Sequence, residues 1–446
     1  MTFPITDTTP IRHTGPLPKA CDVVVIGGGI IGVMTAWFLA ERGLRVTLCE
    51  KGRIAGEQSS RNWGWIRQQG RDPAELPIMV ESLAIWKSLA EQVGEGLGFR
   101  QTGVIYLANT ARDMNSFEAW LPHARAHGLD TRMMSRAEVA AHLPGAVAPW
   151  PGAIFTPSDA RAEPWAAVPL LAQAASQRGV CILEGCAVRA LDLAAGRVAG
   201  VVTELGRIAC DQVVVAGGAW SRLFLGAQGV MIPQLSVLAS VGATGPMPEI
   251  FPGAAADSHF AFRRRADGGY SLAPGAAHDF FVGRDAFASV ATYLPVLRKD
   301  FRSTRFRAMA PSGFPDAWGT PRHWPADAIS PFERCRILNP APNSTTLGRV
   351  QDAFATAFPG LGRPTLKTAW AGMIDTMPDV VPVIDRAPIA GLVIATGMSG
   401  HGFGIGPGVG RVVADLVCGN ATGHDLARFR LARFTDGSKI APGPSL

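Results

Sequence analysis

A glycine-rich turn between a predicted strand and a predicted helix constrains the fold of this chain more than any other feature. Residues 21–26 form an apolar, β-branched run, which predicts a strand buried on both faces. Gly27, Gly29 and Gly32 follow with G-x-G-x-x-G spacing, and residues 30–41 carry apolar side chains at helical spacing. The first glycine permits a tight turn, the second lets a pyrophosphate approach the backbone, and the third lets the helix pack against the strand. The segment therefore predicts a dinucleotide site at the N-terminus of the helix.

An acidic residue follows at the distance that such a site requires. Residues 44–49 predict a second strand, and Glu50 closes it 18 positions after Gly32. At that spacing an acidic side chain binds the ribose hydroxyls of the dinucleotide. The alternative, a glycine-rich structural turn, is disfavoured by the full strand, helix and acid context.

The loop after Glu50 resembles that of the flavoprotein family that includes D-amino acid oxidase, glycine oxidase and sarcosine oxidase. The loop contains Lys51 and the run Ser59-Ser60-Arg61. In that family, a loop rich in Ser, Gly and Arg follows the ribose acid and wraps the FAD pyrophosphate. A nicotinamide-dependent dehydrogenase is another alternative. Such an enzyme more usually begins another strand and helix at this point, so the loop disfavours it.

Two later segments extend this resemblance over nearly the whole chain. Residues 213–221 look like the second flavin-domain glycine segment of the family, and residues 391–417 look like its C-terminal strand, glycine turn and helix. In the family, that helix points its N-terminus at the N1 and C2 carbonyl edge of the isoalloxazine, where reduced flavin carries negative charge. The resemblance thus implies FAD, with these candidate contacts: Gly27, Gly29, Gly32, Glu50, Lys51, Ser59, Ser60, Arg61, Val188, Gly217, Gly400, His401, Gly402, Phe403 and Gly404.

The resemblance also implies a two-domain α+β architecture. An α/β, Rossmann-like FAD-binding domain is predicted from three segments, 15–75, 155–230 and 362–435. The segments between them, 76–154 and 231–361, are predicted to form a mostly antiparallel β substrate domain with helices. In the second of these, short strand candidates alternate with loops and polar helices.

Composition excludes several other classes of protein. The chain has 446 residues, 47% hydrophobic and 17% charged, which indicates a folded globular protein. The excess of Lys and Arg over Asp and Glu is only +6 and is spread out, so we expect no nucleic-acid partner. The start shows no secretion signal, and the apolar run 21–40 contains the glycine turn, so we expect no transmembrane segment. Seven cysteines without a C-x-x-C pair favour reduced thiols and a cytoplasmic protein, and leave peripheral membrane attachment open.

The family's chemistry suggests the activity. In the family, hydride moves from the α-carbon of an amine to the flavin, and the released imine hydrolyses. The expected substrate is an amino acid or a secondary amine, such as an N-substituted or cyclic amino acid. Oxygen, a quinone or a protein would accept the electrons. The runner-up is an FAD-binding subunit of a hetero-oligomeric amine dehydrogenase with little activity alone. No metal-ligand spacing occurs, so we expect no metal site.

Arg67, His401 and Tyr270 are the catalytic candidates. By its position in the family pattern, Arg67 would bind the substrate carboxylate, with Arg71 as the main rival and Arg263 and Arg264 behind it. His401 either contacts the flavin or is tolerated in a turn whose backbone makes the contacts. Tyr270, with Trp63 and Trp65, either walls a substrate cavity or belongs to the core.

Three departures from the family pattern refine this prediction. Gly372 stands where a sarcosine-oxidase-like enzyme carries the Cys that binds flavin, and the loop before Arg61 has serines in place of histidines, so non-covalent FAD is expected. Ile374 replaces a carboxylate-binding Arg of glycine-oxidase-like members. Ala273 stands where monomeric sarcosine oxidase places an oxygen-activating Lys, which favours a dehydrogenase without excluding an oxidase.

Overall fold

The computed structural model describes residues 4–300 and 304–443 of the chain. The α-helices are α1 Ile30–Glu41, α2 Gln58–Arg61, α3 Leu76–Val93, α4 Ala111–Ala126, α5 Arg136–His142, α6 Pro164–Gln177, α7 Ser221–Ala227, α8 Arg284–Asp300, α9 Pro331–Arg334, α10 Ser344–Ala357 and α11 Gly402–Cys418. The strands are β1 Val23–Ile26, β2 Val46–Glu50, β3 Trp65–Ile66, β4 Arg100–Gln101, β5 Val104–Leu107, β6 Arg132–Ser135, β7 Gly152–Thr156, β8 Ala160–Arg161, β9 Cys181–Glu184, β10 Val188–Ala194, β11 Arg197–Thr203, β12 Gly206–Ala209, β13 Gln212–Val215, β14 Leu235–Thr244, β15 Ala254–Ala256, β16 Ala261–Arg264, β17 Tyr270–Ala273, β18 His278–Phe281, β19 Thr304–Arg307, β20 Leu366–Thr376, β21 Val383–Arg386 and β22 Leu392–Thr396.

The first layer is a six-stranded sheet with the order β21-β22-β13-β1-β2-β9. Pairing is parallel except between β21 and β22. Its central strands are apolar and almost fully buried, because helices and other elements cover both faces of such a sheet. Because β1, β13 and β22 pair in parallel, the carboxyl ends of all three meet at one edge, although the strands come from distant parts of the chain.

Helix α11 packs between α1 and α3 beside this sheet. A Cβ on Gly410 would lie 2.6 Å from the backbone of Met34 in α1, and one on Gly408 would lie 2.6 Å from the backbone oxygen of Ile78 in α3. The sequence predicts this helix only from residue 409, whereas α11 begins at Gly402. Glycine is tolerated in its first turns because each one permits close approach of a neighbouring element.

The second layer is a ten-stranded sheet with the order β19-β18-β14-β17-β16-β15-β5-β7-β6, and β20 also pairs with β14. Most of its pairs are antiparallel; β15 with β5 and β18 with β19 are parallel. Two smaller three-stranded sheets are β10-β11-β12 and β3-β8-β4. The predicted α+β fold with a Rossmann-like sheet and a mostly antiparallel second sheet is confirmed.

The predicted segment boundaries remain a prediction. Strand β20 lies within the predicted FAD segment 362–435, yet it pairs along its length with β14 of the ten-stranded sheet. It therefore connects the two layers, and its C-terminal end lies beside the glycine turn that precedes α11. None of the helices in the described parts of the chain is both long enough and apolar enough to cross a membrane.

Candidate functional site

The glycine turn after β1 forms one wall of a large cavity at the carboxyl ends of β1, β13 and β22. Gly27 has a φ of 111°, and a Cβ there would lie 2.4 Å from the carbonyl oxygen of Ala216, so the turn requires glycine. The cavity, called the central cavity below, encloses about 1220 Å³ of empty space including open solvent. Ten of the sequence-predicted contacts line it: Gly27, Gly29, Glu50, Lys51, Ser59, Val188, Gly217, Gly400, Gly402 and Phe403.

Glu50 is bound to the turn that it follows. One carboxylate oxygen accepts the N–H of Gly28 at 2.7 Å, and the other accepts the N–H of Gly52 at 2.6 Å. Burial raises the pKa of Glu50 to about 6, although Lys51 and the two backbone N–H groups oppose that shift. The side chain is therefore a carboxylate at neutral pH and presents hydrogen-bond acceptors to the central cavity.

The loop after Glu50 is fixed by its own polar contacts. The Ser59 hydroxyl accepts the N–H of Ile30 at 2.9 Å, which joins the loop to the first turn of α1. Lys51 donates from Nζ to Glu57 at 2.7 Å and to the carbonyl oxygens of Cys335 and Arg336, and Nζ lies 4.3 Å from the centre of the Trp220 ring. Contacts within the protein thus hold this part of the cavity wall in place.

Five of the sequence-predicted contacts do not line the central cavity: Gly32, Ser60, Arg61, His401 and Gly404. Gly32 lies where the helix crosses the strand, because a Cβ there would be 1.9 Å from the carbonyl oxygen of Gly27. The Arg61 guanidinium is buried and donates to the carbonyl oxygens of Ile5 and Ala371, so it supports the loop from behind. Gly372 faces the same loop, since a Cβ there would lie 2.1 Å from Oε1 of Gln58.

Strand β3 brings a second group of polar residues to the start of α11. A Cβ on Gly404 would lie 3.1 Å from Cα of Ile66, so the chain crosses directly over the first turn of the helix. Arg67 follows, donating from Nη1 to the carbonyl oxygen of Gln69 at 2.6 Å, with its guanidinium 5.0 Å from the centre of the Tyr106 ring. Five charged or titratable side chains gather here and are called the charged compartment below: Arg67, Arg71, Glu75, Asp159 and His401.

Burial changes the proton affinity of most of the charged compartment. It lowers the pKa of Arg71 to about 9, with the charge of Arg67 adding to the effect. It raises the pKa of Asp159 to about 6, against hydrogen bonds from the backbone N–H groups of Gln68 and Gln69. It lowers the pKa of His401 to about 4, and the positive charge of Arg71 acts in the same direction. His401 is therefore neutral at physiological pH.

His401 directly precedes α11, and its Nδ1 lies 3.5 Å from a carboxylate oxygen of Glu75. Because Gly400, Gly402 and Phe403 line the central cavity, the charged compartment adjoins that cavity at the helix N-terminus. Such a place suits developing negative charge on a bound group.

Tyr270 lies elsewhere, in the core of the ten-stranded sheet. It is fully buried, its hydroxyl accepts the N–H of Ile250 at 2.8 Å, and its ring contacts Phe262 edge-on. It does not line the central cavity. Trp63 and Trp65 lie closer to the charged compartment. Their rings are 5.3 Å apart, and Trp65 contacts the ring of Tyr106, over which the Arg67 guanidinium lies.

The sequence analysis missed Glu75 and Asp375. The carboxylate of Asp375 accepts the N–H of Gly397 at 2.7 Å and that of Met398 at 3.2 Å, which fixes the turn before α11. The only signal for Asp375 was an acid at the end of an apolar strand. Glu75 gave none, because its burial depends on the packing of α3 against α11.

Comparison with known proteins agrees with this geometry. Residues 22–416 match the family profile described as FAD dependent oxidoreductase. Sarcosine oxidase subunit beta of Rhizobium meliloti (strain 1021) is 26% identical over 437 residues, which cover 96% of this chain and 92% of that protein. Glycine oxidase of Geobacillus kaustophilus (strain HTA426) is 25% identical over 423 residues, covering 92% of this chain and 97% of that protein.

Among solved structures, L-amino acid deaminase from Proteus myxofaciens in complex with anthranilate superposes with a TM-score of 0.91 at 32% identity. The match covers 96% of this chain and 97% of that one. The chain therefore belongs to the FAD-dependent oxidoreductase family that includes sarcosine and glycine oxidases, and it is an FAD-dependent oxidoreductase.

Proposed function

We propose that this enzyme oxidises an amino acid, or an N-substituted or cyclic amino acid, at the carbon that bears the nitrogen. The observation that carries the proposal is the position of two buried arginines, Arg67 and Arg71, beside the N-terminus of α11 and next to the central cavity. A buried pair of guanidinium groups favours an anionic ligand such as a carboxylate. The names of the relatives, which act on or bind amino acids and amino carboxylates, support the same substrate class.

The residues that line the central cavity fit FAD. Glu50 would accept the ribose hydroxyls, the turn at Gly27 would admit the pyrophosphate, and the start of α11 would stabilise charge on the flavin ring. Bound FAD supplies the acceptor for the hydride, and the imine product then hydrolyses. The packing of Gly372 against Gln58 supports non-covalent attachment, so acid or heat precipitation should leave the flavin in the supernatant. Flavin that stays with the precipitate would contradict this attachment.

We assign the substrate carboxylate to Arg67, with Arg71 as its neighbour. Arg71 is buried, and its Nη1 has no hydrogen-bond partner among the described residues, so it can add a donor to a carboxylate that Arg67 binds. Arg263 is a weaker candidate because both of its terminal nitrogens donate to Glu163, at 2.9 and 3.0 Å. No catalytic step is assigned to Tyr270.

The experiment is the steady-state kinetics of Arg67→Ala on a panel of amino acids with an artificial electron acceptor. Loss of a charge-assisted contact costs about 2–5 kcal/mol, so KM should rise by orders of magnitude while FAD stays bound. Arg67→Lys should recover part of the affinity, since an ammonium makes only one of the two parallel bonds. The exposed Arg112 provides a control, as Arg112→Ala. An unchanged KM in Arg67→Ala, with a raised KM in Arg71→Ala, would move the assignment to Arg71.

We propose further that a quinone or a protein, in preference to oxygen, accepts the electrons. Ala273 in β17 is buried among Val241, Ala243 and Trp370, so no cationic side chain is present at this position to activate oxygen. Peroxide should therefore form more slowly than an artificial acceptor is reduced, when both are measured on the same preparation. Equal rates would refute this part of the proposal.

The second candidate is that the chain is one subunit of a hetero-oligomeric amine dehydrogenase, either free in the cytoplasm or attached peripherally to a membrane surface. The names of the relatives called sarcosine oxidase subunit beta favour it. Purification from the native source, followed by mass measurement of the intact complex, distinguishes the two candidates. An active single chain would exclude the second.

A further inference from the structure

Glu75 is a buried carboxylate that neither the central cavity nor the proposed carboxylate site uses. It precedes α3 and is fully buried, and neither of its side-chain oxygens has a conventional hydrogen bond among the described residues. A buried carboxylate without a hydrogen bond is costly, so a neighbouring donor or positive charge must offset that cost. Burial pushes the pKa of Glu75 upward, but contact with His401 and the charge of Arg71 outweigh that, and the pKa lies below its ordinary value.

The Glu75 carboxylate lies beside His401. Its Nδ1 lies 3.5 Å from Oε2 of Glu75, and Nδ1 is itself buried without any other partner in the described chain. The His401 side chain nevertheless keeps 20% of its surface exposed. Because Nδ1 is buried, the exposed part of the side chain lies elsewhere on the residue.

The contact with Glu75 determines which nitrogen of the neutral His401 ring carries the proton. A neutral imidazole carries one N–H, and an ionised carboxylate can only accept. The pair is favourable only if the proton is on Nδ1, directed at Glu75, which leaves the lone pair on Nε2. No other charged group of the compartment competes with Glu75 as an acceptor for the Nδ1 proton. Arg67 and Arg71 can only donate, and Asp159 already accepts the backbone N–H groups of Gln68 and Gln69.

We propose that Glu75 is a positioning residue that keeps His401 in the Nδ1–H form, so that Nε2 accepts a hydrogen bond from the amino group of the substrate. The inference rests on the proposed function, since it assumes a ligand that carries both a carboxylate and an amine. Arg67 and Arg71 bind the carboxylate, and the Nε2 acceptor selects ligands with an N–H group beside it. Glu75 acts through His401 and does not touch the substrate.

The first test measures the tautomer directly in the FAD-loaded protein. The ¹⁵N spectrum of histidine-labelled enzyme, assigned with His401→Gln, should show His401 protonated at Nδ1. In Glu75→Gln, which keeps the size of the side chain, the Nε2–H form should become populated. Asp159→Asn removes another buried carboxylate of the same compartment and should leave the tautomer unchanged. An Nε2–H form in the wild type, or the same tautomer in Glu75→Gln, would overturn the inference.

The second test compares two ligands that differ by one amino group, anthranilate and benzoate, by their perturbation of the flavin spectrum. Wild type should bind anthranilate more tightly, and Glu75→Gln should reduce that preference by about tenfold, as expected for one hydrogen bond to a fixed acceptor. An unchanged preference would refute the inference and leave the carboxylate site standing. If wild type binds neither ligand, the proposed carboxylate site fails, and the tautomer measurement still decides the role of Glu75.

Discussion

The central cavity and the charged compartment adjoin each other, yet they satisfy their polar groups in opposite ways. In the central cavity, Glu50 accepts two backbone N–H groups and Ser59 accepts a third, all within the wall itself. In the charged compartment, Nη1 of Arg71, both oxygens of Glu75 and Nδ1 of His401 lack conventional hydrogen bonds among the described residues.

This difference separates a preformed wall from a site that needs a ligand. A wall in which Glu50 and Ser59 are already paired costs little to form there and binds its cofactor by shape and by helix dipoles. Buried groups without partners destabilise the folded protein, and a ligand that pairs them recovers this loss. We therefore expect substitutions at the two sites to affect different quantities.

The largest effect should come from closing the space between strand and helix at the central cavity. In Gly32→Ala, the new Cβ would lie 1.9 Å from the carbonyl oxygen of Gly27, so α1 must move away from β1. Because the clash is with backbone, its cost should exceed the about 1–3 kcal/mol that is typical of overpacking, and the displaced turn should no longer retain FAD. The flavin absorbance per protein and the melting temperature measure both effects. Gly226→Ala, where a Cβ meets nothing within 4 Å, is the control. Full flavin content in Gly32→Ala would show that the turn is less constrained than its geometry indicates.

A smaller effect should appear on acidification, at the charged compartment. The pKa of His401 is about 4 in the folded protein, against 6.5 for an ordinary histidine. The unfolded chain therefore takes up a proton that the folded protein does not, and stability is lost as the pH falls from about 6.5 to about 4, by roughly 3 kcal/mol. Denaturant titrations at the two ends of this range should show a smaller loss in His401→Gln than in wild type. The exposed His259, changed to Gln, is the control. Equal losses in wild type and His401→Gln would contradict the assigned burial.

The smallest effect should have the opposite sign and lie at Glu50. Its pKa is raised from 4.5 to about 6, so folding favours the protonated form, and that contribution is lost as the pH rises from about 4.5 to about 6. The apoprotein should lose about 2 kcal/mol of unfolding free energy in this pH range relative to Glu50→Gln.

Glu50→Ala should weaken FAD retention without unfolding the apoprotein, as measured by flavin release on dilution. Retention equal to wild type would remove Glu50 from the cofactor site.

The sequence by itself determined the elements whose signals are local. The glycine turn at Gly27, the helix Ile30–Glu41 and the acid at position 50 depend on neighbours within one strand and one helix, so their spacing carried the prediction. The cofactor and the family followed mainly from the same stretch, because the glycine turn, the ribose acid and the loop after it lie close together in the chain.

Tertiary structure alone decided the rest. The pairing of β20 with β14 and the contact between Glu75 and His401 join residues that are far apart in sequence. The start of α11 at Gly402 likewise was not evident from the sequence. Tyr270 shows the same limit, since the sequence could not place its ring in the core of the second sheet. Burial, which shifts the pKa of His401 and leaves Glu75 with one partner, is a property of packed neighbours, and a linear pattern of residue types does not encode it.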